Sequence, residues 1–488
     1  MKKFLSILVL ILLGLGLVAC GESGNGGNNG GNQGGNGGGN QGGNGGSSQG
    51  GGSGNRTIYL TYAEWGDQDV AQAMIDAFEA AHPNIKVTLD TSITGSGTTF
   101  TTNLISAAQG NMLPDVFVTD NVPSVIKNGL VYDISEFWDK DPDAAKVYSN
   151  IAKTAIYKDA SGKVVRLAAP SYQFIKGFFV NQTLLTNLGM DVPGYDWTFE
   201  DFYDISKDIL DMGVNADGTR IFAINGYYGA LDFEKAMTAQ TNSGLGYDSW
   251  NGTRFNYESE QWLKYRRYTE EFYQTGMLEQ LTAEEKEQIY GNESAWPFEK
   301  GHTAFAVEGS WNILTYLDQF QAANMRVEFY PYPAGNTANE AVILDYMCVS
   351  SLTDYPEEAY ELMKWMSFGE EGWKARLEIM KKTGKGIDRF PVANYPKVWE
   401  DIIEYMEELN ETHNYSGYIY CIDHLSDGAP DVDKWLPGYS DFWNYIEETN
   451  EEEDWYNKPT DQLAREWTIL INQKVQEAYQ ALNLQPVD

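Results

Sequence analysis

The sequence predicts an α/β protein built as two lobes. Three observations carry this: an opening strand-helix-strand unit, strand segments along the chain that each end in a polar loop, and a length from Arg56 onward of about 430 residues, too many for one ordinary core. Thr57 to Tyr62 is a compact β-prone run, interrupted by Glu64-Trp65-Gly66-Asp67. Asp67 is placed to cap a helix from about Gln68 to Ala81, where Val70, Met74, Ala77, Phe78 and Ala81 recur at helical spacing. His82-Pro83 stops that helix, and Ile85, Val87 and Leu89 then alternate with polar residues as a strand does. Such a βαβ unit implies a parallel sheet with a right-handed crossover.

A second helix is expected from about Thr98 to Gln109, with Phe100, Leu104, Ile105 and Ala108 on one face and Gly110 at its end. Asp115 to Thr119 reads as a buried strand that ends at Asp120-Asn121. Phe78-x4-Pro83-x-Ile85-x-Val87, followed by Ala108-x5-Pro114-Asp115-Val116, resembles the opening lobe of the extracellular solute-binding family 1, the group of the maltose-binding proteins. Further pieces follow in that family's order. Ala169-Pro170-Ser171-Tyr172 is similar to its first crossing between lobes, and Phe179-Val180-Asn181 to a strand of its second lobe. Trp197-Thr198-x2-Asp201-Phe202, Ala304 to Trp311, Phe329 to Pro333 and Val349-Ser350 through Ala359 continue the likeness. The acidic region 395–460, rich in Trp and Tyr, is longer than the family's pattern.

The resemblance implies a two-lobe periplasmic-binding-protein-like II fold, each lobe a mainly parallel sheet flanked by helices, joined by a hinge of several crossings. The expected division is 56–169 with about 340–385 for the first lobe, and 170–339 with about 386–488 for the second. It also implies a monomer that hands its ligand to the permease of an ABC transporter.

Residues 1–55 are read separately. Lys2-Lys3, the apolar run Phe4 to Val18 and small Ala19 before Cys20 form an export signal. Leu17-Val18-Ala19-Cys20 looks like a bacterial lipobox, whose cleavage after residue 19 would leave Cys20 acylated and the protein held at the outer face of the cell membrane by lipid alone. The tract from 21 to 55 is almost entirely Gly, Asn, Gln and Ser, a composition that buries no apolar surface and gives a flexible tether spanning about 30–35 Å. With 70 acidic against 34 basic side chains, a net charge of −36 argues against nucleic acid and against anionic lipid as partners. Beyond Cys20 only Cys348 and Cys421 occur, enough for one disulfide and no more.

Ligands of open parallel sheets sit beyond the carboxyl ends of the strands. Candidates there are Trp65 and Asp67 after the first strand, Asp120 and Asn121 after the third, Tyr227 and Tyr228 after Ile221 to Ile224, and Glu308 and Trp311 after Thr303 to Val307. Trp311 matches the ligand-stacking Trp of the resembled family, and Tyr227 or Tyr228 its stacking position. Tyr172 and Tyr346 lie near the expected crossings, where they contact ligand or pack the hinge. Aromatic faces beside carboxylates fit a sugar, whose axial C–H patches pack on rings while its hydroxyls donate to carboxylates. Hydrogen bonds to charged groups contribute about 1.5–3 kcal/mol each, so two or three with one or two stacked rings reach micromolar affinity.

The expected function is therefore capture of a carbohydrate, with no catalytic residue, cofactor or metal. The four histidines show no ligating spacing, Asn215-Ala216-Asp217-Gly218 reads as a turn and not a calcium loop, and neither a nucleophile elbow nor a phosphate loop occurs. The alternatives are a lipid-anchored glycoside hydrolase, which also needs carboxylates beside aromatics, or the same fold holding a peptide or polyamine.

Overall fold

A computed structural model describes residues 56–216, 218–240, 244–335, 340–410, 414–422, 425 and 428–487, with 227–231 described by backbone only. The strands are β1 (Ile58–Ala63), β2 (Ile85–Leu89), β3 (Val116–Thr119), β4 (Ile156–Lys158), β5 (Val164–Arg166), β6 (Ala169–Asn181), β7 (Phe222–Ile224), β8 (Thr303–Gly309), β9 (Val327–Pro331), β10 (Ala341–Val349) and β11 (Ala429–Pro430). In the first lobe β1 pairs in parallel with β2 and β3, and helices Gln68–Ala81 and Gly97–Gln109 form the connections. The sheet continues β2-β1-β3-β10-β6-β8-β7 and passes from one lobe into the other without a break.

β6 is the reason it does. All thirteen of its residues are buried, because strands flank it on both edges. Along one edge its first half pairs with β10 up to Lys176↔Ala341, and its second half pairs with β9 from Gly177↔Pro331. Along the other edge Lys176 to Val180 pair with β8, which runs parallel to β7 in the second lobe. β9 and β10 thus meet the edge of β6 at adjacent positions, Gly177 and Lys176. A Cβ on Gly177 would lie 2.2 Å from the Tyr330 carbonyl oxygen, so only glycine permits this approach.

The second lobe packs around Phe178. Trp197, Phe202, Phe233, Phe305 and Tyr332 place their rings 5.4–6.0 Å from it, mostly edge to face or tilted. At Thr198 a helix begins: Thr198 and Asp201 form a capping box for Phe199–Met212.

The region beyond 395 folds into helices Pro396–Asn410, Ser416–Ile422, Tyr439–Glu453 and Thr460–Ala481. Between them β11 pairs in parallel with the start of β10. The last helix joins the lobes. Trp467 is buried against Trp262 and Phe442, Tyr479 lies 6.2 Å from Tyr157, and Gln485 exchanges both backbone hydrogen bonds with Lys158 on β4. Cys348 and Cys421 are separate buried thiols, so the one disulfide the sequence allows is not formed. Asn215 and Gly218 close a turn through Gly218 N–H to Asn215 O, with Asp217 outside the described residues. Among the described residues no helix is long and apolar enough to cross a membrane.

Candidate functional site

The loop after β1 is fixed from within. Gln68 donates to the carbonyls of Glu64 and Gly66 at 3.0 Å, and Tyr62 donates to buried Glu64 at 3.0 Å. This sets half-buried Trp65 edge-on against Phe100, 5.2 Å between centroids. Asp67 caps the following helix through the N–H groups of Asp69 and Val70 and also accepts from Lys385. Burial opposes the ionised form, but those donors outweigh it and hold the carboxyl below its usual range. At the end of β3, Asp120 accepts from Thr101 at 2.6 Å, while burial pushes its carboxyl up. Asn121 caps Val122–Lys127 by accepting from Ser124 N–H at 2.9 Å.

The second lobe answers with the end of β8. Glu308 accepts from Gly309 N–H at 2.9 Å and is raised by burial against the opposing effects of that N–H and of Lys176. Trp311 folds back over Gly309, where a Cβ would fall 2.1 Å from the indole ring. The indole remains 38% exposed and touches Phe174 edge-on at 6.0 Å. Phe174 is covered by Arg389, whose guanidinium lies 5.4 Å from that ring and within 3.6 Å of the position a Cβ on Gly66 would take. The Trp65 loop and the Trp311 loop therefore border one patch from opposite lobes.

Two lysines stand on the floor between the lobes. Lys176 on β6 pairs with Asp232 at 2.6 Å, and Lys434 pairs with Asp345 on β10 at 2.6 Å. Sequence reasoning passed over these four. The signal is a charged residue inside an apolar run, Phe174-Ile175-Lys176-Gly177-Phe178 and Ile343-Leu344-Asp345-Tyr346, for a charge is seldom buried in a strand unless it is paired.

Other expected residues are enclosed, Tyr172 beneath the patch with the Arg389 guanidinium 5.0 Å from its ring. Tyr172 is 1% exposed, donating to the Met366 carbonyl and accepting from Arg376 at 2.7 Å, and Tyr346 is fully buried. Both are buried, as residues that pack the hinge would be. Tyr227 and Tyr228 open the helix Tyr227–Met237, but their side chains lie outside the described residues. A surface cavity of about 470 Å³ near Asn181, Lys300 and His302 adjoins the amino end of β8, the wrong end of the sheet for a ligand.

A two-lobed α/β molecule with strand-end loops converging from both lobes defines a protein that holds a solute in a cleft. Residues 62–368 match the family of bacterial extracellular solute-binding proteins, and the chain belongs to that family. Its fold is similar to that of the cyclic α-maltosyl-1,6-maltose binding protein from Arthrobacter globiformis, with 18% identity, a TM-score of 0.63, and coverage of 86% of this chain and 100% of that one. An ABC substrate-binding protein from Listeria monocytogenes in complex with cycloalternan gives 18% identity, a TM-score of 0.59, and coverage of 86% and 99%. A periplasmic oligogalacturonide binding protein from Yersinia enterocolitica gives 14%, 0.59, and 86% and 100%. At such identities the likeness establishes the fold. The comparison with curated proteins returns no match.

Proposed function

We propose that this protein captures an oligosaccharide between its lobes and delivers it to the permease of an ABC importer, held at the outer face of the membrane by an acylated Cys20. The observation that carries the reading is the pair Trp65 and Trp311, set on opposite lobes around one patch, with Asp120 and Glu308 beside them. Rings of this kind pack on pyranose faces, and half-buried carboxylates accept from sugar hydroxyls. The fold likeness to sugar-binding proteins of ABC transporters supports it. Membership of a binding-protein family weighs against the hydrolase alternative.

Thermal shift and calorimetry across neutral and acidic oligosaccharides, with chromatography of the mixtures, test the ligand. Binding without turnover is expected; released hydrolysis products would instead make the protein a glycosidase. For the anchor, Cys20→Ser should move the protein from the membrane fraction to the medium. Unchanged membrane association would remove the lipid from the reading.

A further inference from the structure

Next to the patch, where β6, β9, β10 and β11 meet, buried polar atoms accumulate without partners. The hydroxyls of Tyr247 and Tyr332, 1% and 3% exposed, make no hydrogen bond. The carboxylate of fully buried Asp431 has the Leu344 N–H, Lys434 and Lys176 for neighbours, but neither oxygen meets a donor at good hydrogen-bonding geometry, nor does Oδ1 of Asp433. Orphaned buried groups of this kind are costly, and natural proteins leave few of them.

The strand register explains how they come together. Lys176 lies opposite Ala341, and Ala341 lies opposite Ala429, so Asp431, whose N–H bonds to the Val342 carbonyl, stands two strands from Lys176. Tyr332 follows the last residue of β9, which pairs with Gly177. Tyr247 is turned toward the same place by a bend in which Asp248 and Ser249 both take left-handed backbone conformations, φ 51° and 63°. That bend is pinned because Asp248 accepts hydrogen bonds from the hydroxyls of Tyr257 and Tyr439 at 2.9 and 2.7 Å. Non-glycine residues rarely adopt this conformation, and consecutive ones mark a turn held for a purpose. The electrostatic neighbours of Tyr247 are Asp232, Asp433, Tyr332 and Asp431, and those of Lys176 include Asp232, Asp433 and Asp431. The side chain of Asp232, 37% exposed, forms the mouth.

We propose that Lys176, Asp232, Tyr247, Tyr332, Asp431 and Asp433 form a subsite for one neutral sugar unit of the ligand, and that it rejects a uronate. The proposal rests on the carbohydrate reading of the cleft and names the class of sugar within it. Sugar hydroxyls both donate and accept, so a single pyranose can serve the two phenols, the unpaired carboxylate oxygens and the lysine at once. Lys176 is paired with Asp232, and Lys434, the other ammonium near Asp431, is paired with Asp345, so Asp431 and Asp433 leave no free ammonium to neutralise a further carboxylate, whose burial unpaired is strongly disfavoured.

The test uses the mature protein and two isosteric variants, Tyr247→Phe and Tyr332→Phe, with Asp431→Asn as a third. Calorimetry is run with maltotriose, xylotriose, mannotriose and trigalacturonate. A neutral trisaccharide is expected to bind the wild type at least about tenfold tighter than trigalacturonate, and each Tyr→Phe to weaken it by about three- to tenfold with melting temperature kept or raised. Unaltered affinity in both phenylalanine variants overturns the subsite, and so does trigalacturonate binding as well as the neutral sugars. If the wild type binds none of the four, the carbohydrate reading falls and takes the subsite with it, an outcome separate from the other two.

Discussion

At the scale of single residues, Asp248 shows how burial is turned into pH dependence. Burial drives its carboxyl upward, Lys235 and the hydroxyls of Tyr439 and Tyr257 partly offset this, Glu234 adds to it, and the result is a group pushed up to about 7. Because the folded value lies above that of the unfolded chain, about 3.9, the folded state holds the extra proton between those values. Stability from this group is then present at low pH and lost as pH rises through 7. Asp248→Asn keeps an acceptor for both tyrosines and suits the left-handed backbone, since Asn tolerates it best. Urea denaturation at pH 5 and pH 8 should show the variant losing less stability than the wild type, by a difference on the order of 3 kcal/mol. Equal pH slopes would mean that Asp248 is ionised throughout.

Residue types pointed to part of the candidate site and hid the rest for physical reasons. Trp65 stands out because a large ring beside Gly in a strand-end loop has little core to join, Trp311 because it matches the resembled family's ligand-stacking Trp, and Asp67 because capping is local. Tyr172 and Tyr346 look the same in sequence as ligand-stacking tyrosines; only the pairing of β6 with β10 shows that they are enclosed. Asp431 and Asp433 sit in the acidic region 395–460 that departs from the resembled family's pattern, and they are brought beside β10 by a two-residue strand that no periodicity could announce.

Among the elements, the first-lobe strands and helices follow local rules closely enough that helix Gln68–Ala81 and strand Ile85–Leu89 fall where apolar spacing puts them. β6 does not follow such a rule. Its run from Phe174 to Val180 has no alternation to read, since both faces and both edges are covered. One residue in that run, Phe178, anchors the second lobe, touching five other rings. Phe178→Ala should destabilise the protein by about 3–5 kcal/mol, the lost transfer energy plus the cavity left behind. Chemical denaturation measures this, and a loss below about 1 kcal/mol would show that the surrounding rings collapse into the space.

For the whole molecule, the question is whether binding energy becomes motion. A ligand moves the lobes only by binding one arrangement more tightly than the other, and a tenfold difference in affinity supplies about 1.4 kcal/mol. Trp65 and Trp311 belong to different lobes, so a sugar that touches both gains contact only when the lobes approach. Trp311 is 38% exposed and rests on Phe174 by its edge, so its removal leaves the core almost untouched. Trp311→Ala should therefore cost about 2–4 kcal/mol of sugar affinity, as an aromatic anchor does, with a melting temperature close to that of the wild type. Small-angle scattering should record a fall in radius of gyration as sugar is added to the wild type, displaced to higher sugar concentration in the variant by the same factor as the affinity. A variant that unfolds would place Trp311 in the core, and one that compacts at the wild-type concentration would show that closure draws its energy from the first lobe and the floor alone.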